Sequence, residues 1–352
     1  IEVFYPSLEF GANTFFKGVL DSDPNKFILT FKSPDIRMES FFAKKVEIKL
    51  DNNNPIFNSY VELDSLSTPY FKANEFSLIN LNLNDTLYIK TQFKVGKRKR
   101  DVFDFNLFAT SVDGNYVFGL NPSIINFKNT TWKLHPSGET NSKFIFSPDS
   151  KGFVMDPLAM TYKDEKIILR ANANDSLSTD IAIEFENVDL AKVTPEIDSL
   201  SLGGTINGQL NVSKYMATYL PKSQLEIDNF TINNFNLGAF NAVIKGNSSL
   251  TNYDVYLKIQ DDLNESFSAM GNLDVSGENS NLDLDLNFKD FILNPLNPFG
   301  GGVITNIKGK VSGTSKISGR LQKPQINGQL ILDKAGISLP YLNLDYIFED
   351  NT

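Results

Sequence analysis

The stretch NLDLDLNF, residues 281 to 288, alternates with a period of two. Leu282, Leu284, Leu286 and Phe288 share one side of an extended chain, and Asn281, Asp283, Asp285 and Asn287 the other. Successive side chains of a strand point to opposite faces, so the pattern specifies a strand with one dry and one wet face. The same alternation recurs along the chain. KFILTF sets Phe27, Leu29 and Phe31 together, TDIAIEF sets Ile181, Ile183 and Phe185, and DVYLKI sets Val255, Leu257 and Ile259. One-sided strands belong to antiparallel or solenoid-like sheet, because the strands of a doubly wound parallel sheet are buried on both faces.

Turn formers separate the strands, in DSDPNK, DNNNP, VDGN, SPDSKG and SGENSN. Helical windows are few. DLAKVTPEIDSL predicts a short helix with Asp189 as N-cap, and SKYMATYL predicts one capped by Ser213 and ended by Pro221. Several strands carry a glycine on the apolar side: Gly208, Gly313, Gly319 and Gly328. A glycine inside a strand marks a bend or bulge, and a sheet that curls around an apolar interior needs such relief on its concave side. The expected fold is therefore all-β, an elongated curled sheet (a β-taco or U-shaped groove) with an apolar interior and very short helices.

A weak repeat supports a quasi-linear stack. The segment from Phe185 matches the segment from Phe288 in register: Phe185, Val188, Leu190, Val193 and Pro195 against Phe288, Phe291, Leu293, Leu296 and Pro298. With a two-residue insertion, Gly204, Ile206 and Gly208 then match Gly309, Val311 and Gly313. Units 185–213 and 288–319 thus read as related, each a strand, a short crossing and a glycine-spaced strand. The whole of 1–352 reads as one continuous groove fragment of a longer chain.

Composition narrows the chemistry. Net charge is −9, from 33 basic and 42 acidic residues, which disfavours a nucleic-acid partner. No cysteine is present, so thiol nucleophiles, thiolate metal sites and disulfides are out of reach. The one histidine, His135 in KLHPSG, has no second histidine to share a metal and reads as a turn residue before Pro136. There is no nucleophile elbow, P-loop or dinucleotide fingerprint. Asp283 and Asp285 read as a solvated face rather than a calcium site, and VGKRKRD as a charged hairpin tip or edge guard. No metal, no cofactor and no enzymatic activity are expected. No run of residues is apolar for the length of a membrane-spanning helix.

The stretch 294–350 carries a family resemblance. Its Gly-rich lead, ISGRLQKPQINGQL at Ile317 to Leu330 and ISLPYLNLDYIF at Ile337 to Phe348 resemble the C-terminal translocation-and-assembly domain of TamB proteins in their Bacteroidetes form. NTTWKLHPSG, NVDLAKV and LGGTINGQL resemble the family more diffusely. The resemblance implies an AsmA-like, bridge-type lipid transport protein of the diderm envelope. Such a protein has an inner-membrane anchor, which this fragment lacks, a periplasmic β-groove and a TamA-like outer-membrane barrel partner.

On that reading the apolar faces line a trough for phospholipid acyl chains moving between the inner and outer membranes. The lining is expected to include Ile206, Leu210, Leu225, Ile227, Leu257, Leu282 and Leu284, and further along Leu286, Phe288, Ile317, Leu321, Ile326 and Leu330. The alternative is an assembly factor for outer-membrane proteins that works by adding strands to an exposed sheet edge. A transmembrane barrel fits less well, since the aromatic residues are unevenly placed and form no girdles, and an adhesin sandwich would fold with a sealed core and carry no lipid.

Overall fold

The computed structural model describes residues 7–349, apart from positions 24, 70, 97–98, 135–141, 176, 195–199, 217, 262–263 and 277–279. His135 and half of the KRKR run lie outside the described residues. The chain divides into two compact units, Ile1–Lys163 and Asp164–Thr352. Both are built from antiparallel strands.

The first unit opens with β1 (Leu8–Phe10) and β2 (Phe15–Asp21), both paired with β3 (Lys26–Met38). A meander follows through β4 (Phe41–Asp51), β5 (Ser59–Ser67), β6 (Lys72–Leu83), β7 (Thr86–Val95), β8 (Asp101–Val112) and β9 (Asn115–Phe127). Each pairs with the next. The long β9 takes two partners, β10 (Thr130–Leu134) and β11 (Ser142–Ser147), and β12 (Gly152–Met155) and β13 (Leu158–Tyr162) extend them.

In the second unit β14 (Glu165–Ala173) pairs with β15 (Ser178–Asp189), which leads through α1 (Leu190–Val193) into β16 (Leu202–Tyr215). Then come β17 (Thr218–Ile232), β18 (Phe235–Asn236), β19 (Ala239–Gly246), β20 (Asn252–Asp261), β21 (Asn264–Asp274) and β22 (Asn281–Ile292). After a 3-10 turn, Asn294–Gly300, the chain forms β23 (Thr305–Arg320), β24 (Lys323–Leu339) and β25 (Leu344–Ile347).

Two helical expectations meet different outcomes. Asp189 does cap α1, accepting the Ala191 N–H at 3.0 Å, but the helix lasts four residues; positions 195–199 of that window are not described. SKYMATYL is not helical. Its residues close the β16–β17 hairpin, with Lys214 opposite Tyr219 and Val212 opposite Pro221. Pairing within the hairpin and with β15 overrides local helix propensity there, and Met216 takes the left-handed turn conformation at φ 54°.

The segments from Phe185 and from Phe288 share one backbone device. Phe185 stands opposite Gly208 and Val188 opposite Ile206, so two residues of β15 face one of β16. Phe288 stands opposite Gly313 and Phe291 opposite Val311 in the same two-against-one bulge. The left-handed residue of each bulge, Asn187 or Asp290, donates its N–H to the single side chain across from it. The acceptor is Asn207 Oδ1 at 2.9 Å in the first case and Ser312 Oγ at 2.9 Å in the second. The glycines are required. Gly208 has φ 122° and an added Cβ would lie 2.2 Å from Gln224 O; Gly313 has φ 129° and its Cβ would lie 2.3 Å from Gln329 O.

Candidate functional site: an uncharged face across nine strands

Directly opposed residues of an antiparallel pair share a face, so the register can be followed from strand to strand. Starting on β15, Ile183 is opposite Leu210, Leu210 opposite Ser223, and Ser223 opposite Ile244. From Ile244 the row continues through Val255, Gly271, Leu284 and Ile317 to Ile326 on β24. Two residues along, Phe185 begins a parallel row that runs through Gly208, Leu225, Ala242 and Leu257, then Ala269, Leu286, Ser315 and Gly328. A third begins with Val188 and Ile206 and passes Ile227, Phe240, Ile259 and Phe267. It ends with Phe288, Gly313 and Leu330.

None of these positions carries a charge. The opposite face is wet: one of its rows runs through Lys222, Lys245, Asp254, Asn272, Asp283 and Ser318. Along the uncharged face the aliphatic side chains are mostly half-buried, as at Leu210, Leu225, Leu284 and Ile317. A sealed two-layer core would bury them. Aromatic members pack on each other, with Phe267 and Phe288 ring centroids 5.2 Å apart, and Phe240 packs on Phe230 of β17 at 5.0 Å.

Twelve of the thirteen expected lining residues lie on this face. Leu282 joins it one row further out, between Leu273 and Gly319. Leu321 follows the end of β23, in the turn to β24, where its N–H is bonded to Ser280 O at 2.9 Å, next to the pairing of Arg320 with Asn281. Exposure rises toward β24, from 7 % at Ile206 to 66 % at Ile326. Between Lys323 and Asp333 that strand pairs with β23 alone among the described residues.

The expected lining also left out members. Phe240, Ala242 and Ile244 of AFNAVIKG are in register with it and show the same alternation. The first unit has its own apolar face, richer in aromatics: Phe93 is opposite Phe103, and Phe103 opposite Ile125, which faces Trp132. Phe93 and Phe103 stack at 5.1 Å with 5° between their planes, and Phe76 lies 6.3 Å from Phe93.

Two concavities of the second unit have charged residues in their lining. One of about 470 Å³ lies beside Tyr256, Met270, Asp285 and Lys316, and one of about 580 Å³ beside Val243, Tyr256 and Met270. Neither holds a catalytic set. Lys316 sits 2.6 Å from Asp283 and 3.8 Å from Asp285, and its hydrogen bond to Asp283 holds its pKa above the ordinary lysine value. It therefore stays an ammonium and is no nucleophile or base at neutral pH. Among the described residues no group of side chains could hold a metal ion, and no helix is long and apolar enough to cross a membrane.

The family model described as "TamB, N-terminal domain" matches residues 155–332, half of the 352-residue chain. The match covers eight of the nine strands of the uncharged face in full and the start of β24. It names the N-terminal domain, although it includes much of the stretch whose motifs resemble the C-terminal one. No curated protein and no solved structure matches the chain. The chain belongs to the TamB family, periplasm-spanning envelope proteins of translocation, assembly or lipid transport.

Proposed function

We propose that the uncharged face carries phospholipid acyl chains between the inner and outer membranes, as a segment of a bridge-like transporter. The observation that carries this reading is the run of uncharged rows from β15 to β24. With strands about 4.8 Å apart, the rows extend roughly 40 Å. Moving an acyl chain of about sixteen carbons through water costs on the order of 10 kcal/mol, at about 0.8 kcal/mol per methylene. A surface without a charged interruption removes most of that cost at each step, while headgroups stay in water. No residue performs chemistry; continuity of the surface is the mechanism.

The test is mass spectrometry of the organic extract of the purified chain beside that of Leu284→Asp. Phospholipid that copurifies with the parent and is depleted in the variant supports the reading. A stable parent that carries no lipid refutes it.

One observation favours a second reading. The unshared edge of β24 from Lys323 to Asp333 could accept a strand from a client protein or from a TamA-like barrel partner. Crosslinks to protein from Gln325 or Gln329, with none to lipid from Leu284, would favour assembly over transport.

A further inference from the structure

The uncharged face continues past the three rows, toward the β16–β17 hairpin turn. Ile181 is opposite Val212 and Val212 opposite Pro221; in the next row Thr179 is opposite Lys214 and Lys214 opposite Tyr219. Between the Val188–Ile206 row and this last one, every residue of the face on β15, β16 and β17 is uncharged. Lys214 is therefore the first charge the face meets, at its outer end.

The surroundings of Lys214 keep its ammonium available. Its Nζ lies 5.8 Å from the centroid of the Tyr219 ring, and it makes no ion pair among the described residues, whereas Lys192, Lys258 and Lys316 are paired with Glu165, Glu265 and Asp283. A ring face attracts a cation through its quadrupole and takes none of the three N–H donors as a carboxylate would. The acidic residue beside it in the ladder, Asp180, is opposite Ser213 and so belongs to the other face.

The distance from Lys214 to the packed end of the face suits one acyl chain. Val188, Ile206 and Ile227 are 0%, 7% and 5% exposed, so that row is already filled, while Leu210 and Val212 are half-buried. Along β16 the eight residues from Ile206 to Lys214 extend about 27 Å, at about 3.4 Å each. An acyl chain spans one leaflet, about 15 Å of a hydrocarbon core about 30 Å thick. A lipid held by its headgroup at Lys214 lays its chain over Val212 and Leu210 and ends short of the filled row.

We propose that Lys214 is the headgroup contact of the acyl-chain face: its ammonium binds the phosphate of a glycerophospholipid and selects it over a diacyl lipid without phosphate. The proposal rests on the acyl-chain reading and adds to it a position and a lipid class. An ammonium donating to a phosphate oxygen makes a charge-assisted hydrogen bond, which a neutral glycerol hydroxyl does not match. The chain as a whole, at net charge −9, offers no general attraction to anionic lipid, so a preference for phosphate has to come from a local group.

The experiment incubates the chain with phosphatidylcholine vesicles that contain equal amounts of phosphatidylglycerol and diacylglycerol of the same acyl chains, then quantifies the lipid bound to the separated chain by mass spectrometry. The parent is expected to take up phosphatidylglycerol over diacylglycerol by roughly tenfold. Lys214→Gln takes up the two about equally, with diacylglycerol uptake and circular dichroism unchanged, and Lys214→Arg keeps the preference. Lys222→Gln, on the wet face opposite Asn211, matches the parent. Excess inorganic phosphate leaves the parent's ratio as it was, because the seated acyl chain keeps the headgroup beside Lys214 at high effective concentration. A parent with no preference, a Lys214→Gln variant that retains it, or a preference erased by inorganic phosphate would each overturn the proposal and leave the acyl-chain reading in place. A parent that takes up neither lipid would overturn both.

Discussion

Phe288 of β22 stands directly opposite Gly313 of β23, at the point where the ladder shifts register around Asp290. The glycine has to be there because its backbone is left-handed and Gln329 O lies where a Cβ would go. Gly313→Ala should therefore lower unfolding free energy by about 3 kcal/mol or more, from backbone strain plus the clash. Gly319→Ala is the comparison: φ is 98°, but nothing lies within 4 Å of the added carbon, so only the backbone cost of about 1–2 kcal/mol is expected. Urea titration followed by circular dichroism measures both, and equal losses would show that the close approach to Gln329 has no energetic weight.

Face, not composition, should decide which acidic substitutions matter for lipid. Leu330→Asp and Asn327→Asp each introduce one carboxylate on β24. Leu330 lies on the uncharged face opposite Gly313, and Asn327 on the wet face opposite Lys316. Copurifying phospholipid should fall in the first and persist in the second, with both chains folded. Equal lipid content in the two would detach lipid binding from this face.

Glu165 is buried at the start of β14 and accepts the Asp189 N–H at 2.9 Å and the Lys192 ammonium, tying α1 to the sheet. Lys192→Met would leave that carboxylate without its ion partner, and a loss of about 2 kcal/mol is expected, discounted for the partial exposure of Lys192. The pH dependence has a definite sign. Burial pushes the Lys192 pKa down, but the hydrogen bond to Glu165 and the charges of Glu165 and Asp189 outweigh it and raise it. The folded state therefore binds this proton more tightly than the unfolded state. Its contribution is complete below the unfolded value near 10.5 and is lost as pH rises through the folded value. Parent and Lys192→Met should converge in stability in that alkaline window, measured by urea midpoints across pH.

Trp132, the sole tryptophan, is 1% exposed between the ladder and Tyr162, whose ring is 5.9 Å away. Its emission should be blue-shifted and weakly quenched by acrylamide until the first unit unfolds. Strong quenching in native buffer would contradict the packing of β10 on β9 and β13.

Much of the second unit is readable from local pattern. NLDLDLNF reads as a strand because alternation is a steric property of an extended backbone, and the structure places Leu282 through Phe288 together as that property requires. The pattern misled at SKYMATYL, which looked helical although its residues pair with one another across a tight turn and, from Ser213 to Tyr215, with β15. The aromatic face of the first unit was left out of the expected lining because its members are scattered from Phe76 to Trp132 and meet only through the ladder.

By itself the sequence determined that this chain makes one-sided strands, which side of each is apolar, and where glycines interrupt them, since these depend on neighbours along the backbone. The tertiary structure alone decided that the apolar sides of nine strands fall into unbroken rows, that Asn207 and Ser312 cap equivalent bulges, and that Lys214 stands opposite Tyr219 at the outer end of that face. Those relationships depend on register, which is set by hairpin geometry and bulges between residues distant in the chain, and a one-residue slip would turn every side chain to the other face.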